Sequence, residues 1–143
     1  MLRINYPPYN FRIKKEGNRE FVFDEVRRRW VTLTPEEWVR QNFLQFLMQV
    51  KNYPRSLLSI EKLIKLGELR KRCDIVVYKE DRPWMIVECK EMNTGLNLPV
   101  LEQILRYNIA HQVEYIVITN GKASLAYQLA EDSFREIEEL PSL

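Results

Sequence analysis

Histidine, cysteine and glycine are scarce in this chain of 143 residues, which holds one histidine, two cysteines and four glycines. With only His111, Cys73 and Cys89 to offer, imidazole and thiolate zinc chemistry is excluded, and His111 reads as a surface or helix-end residue. Cys73 and Cys89 form no Cys-x-x-Cys pair and are too few for a disulfide framework, so both read as reduced structural residues. No glycine stands in a Gly-x-x-x-x-Gly-Lys-Ser/Thr loop or a dinucleotide fingerprint, which leaves this chain alone without a nucleotide-driven motor. No apolar run approaches the roughly 18 residues that span a bilayer. The opening MLRINYPPYNF lacks the apolar centre of a signal peptide, so the expected location is cytoplasmic, with no membrane partner. Neither a zinc finger nor a helix-turn-helix is visible, so any recognition of a specific DNA sequence has no evident module.

What is present suits one folded domain. Hydrophobic residues make up 45% and charged residues 29%, with no repeat or low-complexity tract, and the length can bury a single core. We expect a single domain over 1–143, with an arm and hairpin in 1–30 and the core in 31–143. The net charge of +2 hides a division: residues 1–72 carry 16 basic against 8 acidic side chains, and residues 73–143 carry 6 against 12. Arg12, Lys14 and Lys15, then Arg27, Arg28 and Arg29, then Arg70, Lys71 and Arg72 form basic clusters that could meet phosphates or make a solvated face.

Alternation on either side of Gly17-Asn18 predicts an antiparallel hairpin from about Phe11 to Phe23, preceded by an extended arm at Pro7-Pro8. Thr34-Pro35-Glu36-Glu37 predicts a helix start, with Thr34 as N-cap, Pro35 in the first turn and Glu37 at the capping-box position. Val39, Phe43, Phe46 and Val50 then mark a buried stripe, and Tyr53-Pro54 ends the helix. LLSIEKLIKLGEL fits a strand or a helical turn; Gly67 and the charges after it favour a strand that turns into the next. CDIVVY and PWMIVECK read as two strands of a hairpin joined by KEDR, LPVLEQILRYNIAHQV as a second helix, and EYIVITNG as a strand closed by Asn-Gly. The last twenty residues add one strand and a frayed end.

The central hairpin carries charges where a sheet is otherwise apolar. Residues two apart on a strand share a face, so Glu88 and Lys90 point one way and Val87 and Cys89 the other. The same alternation sets Asp74 opposite in face to Cys73 and Ile75. Pairing of the two strands brings Asp74 across from Glu88, so two carboxylates and an ammonium meet, a metal site in outline. Oxygen ligands without imidazole or thiolate suit Mg²⁺ or Mn²⁺. Such an ion polarises a phosphodiester and activates water, and Lys90 would orient that water and stabilise the charge on phosphorus. An exposed Glu-x-Lys ion pair is the plainer alternative. On the helix that follows, Gln103 and Tyr107 lie four apart and share a face.

Asp74, then Glu88-Cys89-Lys90, then Gln103-x-x-x-Tyr107 resembles the PD-(D/E)xK nuclease superfamily. LTPEEWVRQNFLQFL, RCDIVVY, RPWMIVECKE, EQILRYN and YIVITNG, in that order, resemble the N-terminal nuclease domain of type I restriction enzyme R subunits in its short stand-alone form. The resemblance covers nearly the whole chain. It implies an α/β restriction-endonuclease-like fold, a central mixed β-sheet flanked by helices with the N-terminal hairpin added. It also implies Asp74 and Glu88 as metal-binding acids, the backbone carbonyl of Cys89 as a further ligand, and Lys90 as the catalytic lysine. Gln103 and Tyr107 would support the site or contact DNA, although a tyrosine on a packed helix also serves a core.

The first helix of the superfamily often supplies another acid. Glu36, in line with Val39, Phe43 and Phe46, is the expected one, and Glu37 the alternative. The implied activity is Mg²⁺-dependent (or Mn²⁺-dependent) cleavage of DNA, with other restriction-system subunits as possible partners. The competing expectation is a nuclease-like module that binds nucleic acid or a protein without cutting.

Overall fold

The computed structural model describes residues 1–66, 69–97, 99, 101, 103, 105, 113–131 and 133–143. The predicted first hairpin forms from β1 (Ile13–Glu16) and β2 (Arg19–Asp24), in register Ile13↔Val22 and Glu16↔Arg19, and Gly17 takes the positive φ of the turn. A third strand joins it, β3 (Arg29–Thr32), with Phe23 opposite Trp30. The three make a separate sheet that reaches two residues past the expected boundary of the arm and hairpin.

Helix α1 (Pro35–Gln49) starts as predicted: the Thr34 hydroxyl accepts from the Glu37 amide at 3.0 Å, and Pro35 opens the first turn. Val39, Phe43, Leu44, Phe46 and Leu47 bury against the second sheet, whereas Val50 ends the helix half exposed.

That sheet has six strands in the order β4 (Leu58–Leu66), β5 (Leu69–Lys79), β6 (Arg82–Cys89), β7 (Tyr115–Thr119), β8 (Ser124–Leu129) and β9 (Phe134–Ile137). All neighbours run antiparallel except β6 and β7, so the sheet is mixed, as expected. A parallel pair needs a long crossover, and residues 90–114 supply it. Within this stretch Pro99, Leu101, Gln103 and Leu105 are helical, and Leu105 packs with Ile116 and Tyr127. The expected Gly67 turn lies outside the described residues.

The β5–β6 turn puts both Glu80 and Asp81 at positive φ, the backbone that a two-residue hairpin turn demands. Two strands, not one, follow the Asn-Gly turn, and the end is docked rather than frayed. Leu140 is buried and the Tyr53 hydroxyl donates to the Pro141 carbonyl.

Apolar alternation explains why both sheet faces are covered. Ile75, Val77, Met85, Val87 and Val117 join the core beneath α1, and Val76 and Ile86 join Cys73, Ile64 and Val113 in a second cluster. Among the described residues no helix is long and apolar enough to cross a membrane.

Candidate active site

The strands β5 and β6 pair from the hairpin turn as far as Ile75↔Val87 and then part. Beyond that point β5 stays with β4, and Cys89 continues with β7 opposite Thr119. The expected pairing of Asp74 with Glu88 is absent from the ladder, which ends at Ile75↔Val87. Here the Asp74 side chain takes over the ladder: the Cys89 amide donates to Asp74 Oδ2 at 2.7 Å, and the Lys90 amide donates to the Thr119 carbonyl at 2.8 Å. A carboxylate thus sits in the wedge where two central strands separate.

Strict alternation fails at this point. Ile75 belongs to the core under α1, yet its neighbour Asp74 also reaches α1, where Arg40 Nη2 lies 3.1 Å from Asp74 Oδ1. Cys73, expected to share a face with Ile75, packs instead in the opposite cluster. On β4, Glu61 stands between residues paired with Ile75 and Cys73 and adopts φ 51°, a backbone region costly for a non-glycine residue. Its carboxylate meets Arg40 at 3.6 Å and Arg27 at 3.7 Å. The irregularity in both strands turns two acids towards one guanidinium.

Arg40 is the centre of a network that the apolar pattern of α1 did not reveal. It contacts Glu37 at 2.8 Å, Asp74 at 3.1 Å, Glu61 at 3.6 Å and Glu36 at 3.9 Å, and is only 4% exposed. Arg27, from the β2–β3 turn, holds Asp24 at 2.6 Å and Glu37 at 2.8 Å. Asp24 is fully buried and also accepts from the Val26 and Arg27 amides and from Gln41. Burial works against both guanidinium charges. For Arg40 it is outweighed by the charges of Glu37 and Asp74, and for Arg27 by hydrogen bonds to Glu37 and Asp24, so both pKa values rise. The spacing of Glu36 and Glu37 to Arg40, four and three residues along one helix, was the available signal; nothing local marked Glu61.

The two helix acids are placed the other way round from the expectation. Glu36 is half exposed, at 48%, and Glu37 is buried, at 6%. Arg27 comes from outside the helix and draws Glu37 inward, and the Glu37 carboxylate binds Arg27, Arg40 and Gln41 in the folded chain. Glu36 stays at the rim of a cleft of about 800 Å³ walled by Phe21, Trp30, Arg27, Arg40, Glu61 and Glu91.

Glu88 is 7% exposed, and its charge, with those of Asp74 and Glu36, acts on the Cys89 thiol. Burial raises the thiol's pKa most, Asp74 adds to it, and Arg40 opposes it, so Cys89 is an inert filler rather than a nucleophile. Lys90 follows β6 and is half exposed. Gln103 is exposed, and Tyr107 lies outside the described residues. Glu36 of α1, Asp74 of β5 and Glu88 of β6 thus all act on the Cys89 thiol, and Glu61 of β4 joins them through Arg40.

The donors are of the right kind for a hard cation, carboxylate and backbone carbonyl without imidazole. Among the described residues this network joins five carboxylates, Asp24, Glu36, Glu37, Glu61 and Asp74, to two guanidiniums, Arg27 and Arg40. Among the described residues no three histidine, cysteine, aspartate or glutamate side chains converge in a ready group of metal ligands. An ion at Asp74 and Glu88 would therefore complete its ligands with the Cys89 carbonyl, water and substrate oxygen.

Fold and site together define a mixed α/β domain with acids gathered where its central strands part. Residues 35–141 match the family described as type I restriction enzyme R protein N terminus, and the chain belongs to that family. Comparison with curated proteins and with solved structures gave no significant match to either.

Proposed function

We propose that the chain is a metal-dependent endonuclease domain that hydrolyses DNA phosphodiester bonds, with a restriction-endonuclease-like fold and Mg²⁺ or Mn²⁺ as its cofactor. The observation that carries this reading is Asp74 standing where β5 and β6 part, just beyond Ile75↔Val87, and held by the Cys89 amide, in a chain of the restriction R-protein family. Asp74, Glu88 and the Cys89 carbonyl hold the ion. When bound, it polarises the phosphodiester and lowers the pKa of an attacking water. Lys90, just past the end of β6, would orient that water and stabilise the charge gained by phosphorus. Glu36, at the cleft rim, is a second-line acid that can bind water on the ion, and Gln103 and Tyr107 support the site or meet DNA. Other restriction-system subunits are the partners that would supply translocation, for which no loop exists in this sequence.

One observation favours a second reading. Both Asp74 oxygens already have partners, Arg40 and the Cys89 amide. If Arg40 holds Asp74 permanently, the domain binds DNA or a protein without cutting. Supercoiled plasmid incubated with the chain and Mn²⁺, Mg²⁺ or EDTA separates the two. Nicked or linear product only with metal supports the nuclease, and intact plasmid under all conditions supports the binder.

A further inference from the structure

Phe21, Phe23 and Trp30 share the face of the three-stranded sheet that points away from buried Val22 and Asp24. Strand register adds three cations to that face. Lys14 pairs with Phe21, and its Nζ lies 5.7 Å from the Phe21 ring and 4.6 Å from the Trp30 ring. The Arg12 guanidinium lies 4.4 Å from the Phe23 ring and 5.4 Å from Trp30, and Arg19 lies 5.2 Å from Phe21. The three rings are half buried, Lys14 likewise, and Arg12 and Arg19 are exposed. The acid on this face, Glu16, sits at the hairpin tip and pairs with Lys14 at 3.1 Å. The face therefore interleaves cations with rings and has net positive charge.

We infer that this face is a docking platform for single-stranded DNA, which it feeds into the cleft holding the acids. Cations and flat rings side by side fit phosphates and bases together, and a ring stacks fully only on a base with an open face, which a duplex interior does not offer. The face adjoins that cleft, because Phe21 and Trp30 line it together with Arg40, Glu36, Glu37 and Glu61. The sheet lies before residue 35, outside the stretch matched by the restriction family. The choice of DNA rests on the function proposed above; the choice of a single strand rests on the rings.

The test is binding of labelled 20-nucleotide oligo-dT, oligo-rU and a duplex of equal length, in EDTA so that no cutting intervenes, followed by anisotropy and tryptophan fluorescence. Oligo-dT is expected to bind about tenfold more tightly than duplex and to quench fluorescence. Arg12→Glu/Lys14→Glu is expected to lose about tenfold in affinity, and Lys62→Glu/Lys65→Glu, of equal charge change on β4, less than threefold. Trp30→Leu should abolish the quenching; if it fails to fold, the charge-reversal pair still decides. Equal binding of duplex without quenching, tighter binding of oligo-rU, or equal loss in the β4 control overturns the platform. Plasmid cleavage measured separately keeps the two readings apart: cleavage with no effect of the face variants rejects the platform alone, and face-dependent binding with no cleavage rejects the nuclease alone.

Discussion

Arg40 Nη2 lies 3.1 Å from Asp74 Oδ1 while Nη1 of the same guanidinium lies 2.8 Å from Glu37 Oε1. One planar fork thus ties the first turns of α1 to the middle of β5, where the candidate metal acid stands. A lysine has one point charge and cannot hold both carboxylates in that geometry. Arg40→Lys is expected to fold and to cut DNA at least tenfold more slowly, because Asp74 loses one of its two anchors. Parent-like rates would show that Arg40 does not position Asp74.

Asp24 should matter for stability and not for chemistry. It is fully buried and joins Arg27, Gln41 and two backbone amides, so its removal strands buried donors and a guanidinium. Breaking such a network costs about 3 to 5 kcal/mol. Urea unfolding of Asp24→Ala should show a loss of that order. A loss under 1 kcal/mol would mean that Arg27 is satisfied without Asp24.

The Cys89 thiol gives a pH dependence. Its pKa is raised in the folded chain by burial first and then by Asp74, so above the ordinary thiol value the unfolded chain loses that proton while the folded chain keeps it. The unfolded state then binds fewer protons, and stability falls as pH rises through and above the ordinary thiol range. Cys89→Ala should flatten part of this alkaline slope in a melting series. An unchanged slope would assign it to other groups, such as Tyr53, whose pKa is also raised by burial.

The β5–β6 turn is stabilised less than it could be. Glu80 and Asp81 both occupy the left-handed region, at φ 53° and 62°, where Asn-Gly is the favoured pair. Glu80→Asn with Asp81→Gly should raise stability by about 1 kcal/mol, read as a higher melting temperature. A lower one would mean that the native pair makes contacts worth more than the strain.

The parts legible from the sequence were those in which local chemistry decides. Gly17-Asn18, KEDR and Asn120-Gly121 each force a turn between alternating runs, and Thr34-Pro35 sets a helix start irrespective of the rest of the chain. The third strand, Arg29–Thr32, was not legible because it is a four-residue run that opens on the last of three consecutive arginines and has its pairing with β2 as main support. Glu36 and Glu37 were read in reverse because a helical stripe assumes that apolar contact decides what is buried. At this helix start Arg27, ten residues away, decides it instead. The β5–β6 hairpin followed from its apolar runs on either side of KEDR, whereas Arg40 and Glu61 enter the network of Asp74 through a break in strand alternation that no local pattern announces.

Lys90→Ala tests the central claim most directly. Cleavage of supercoiled plasmid with Mn²⁺ is compared between the parent and this variant, alongside Mn²⁺ binding by each. The parent is expected to nick DNA only with metal, and Lys90→Ala to keep its fold and its Mn²⁺ binding but to lose cleavage by at least a hundredfold. Undiminished cleavage by Lys90→Ala would contradict the assignment of this lysine, and parent protein that neither binds Mn²⁺ nor cuts would contradict the nuclease itself.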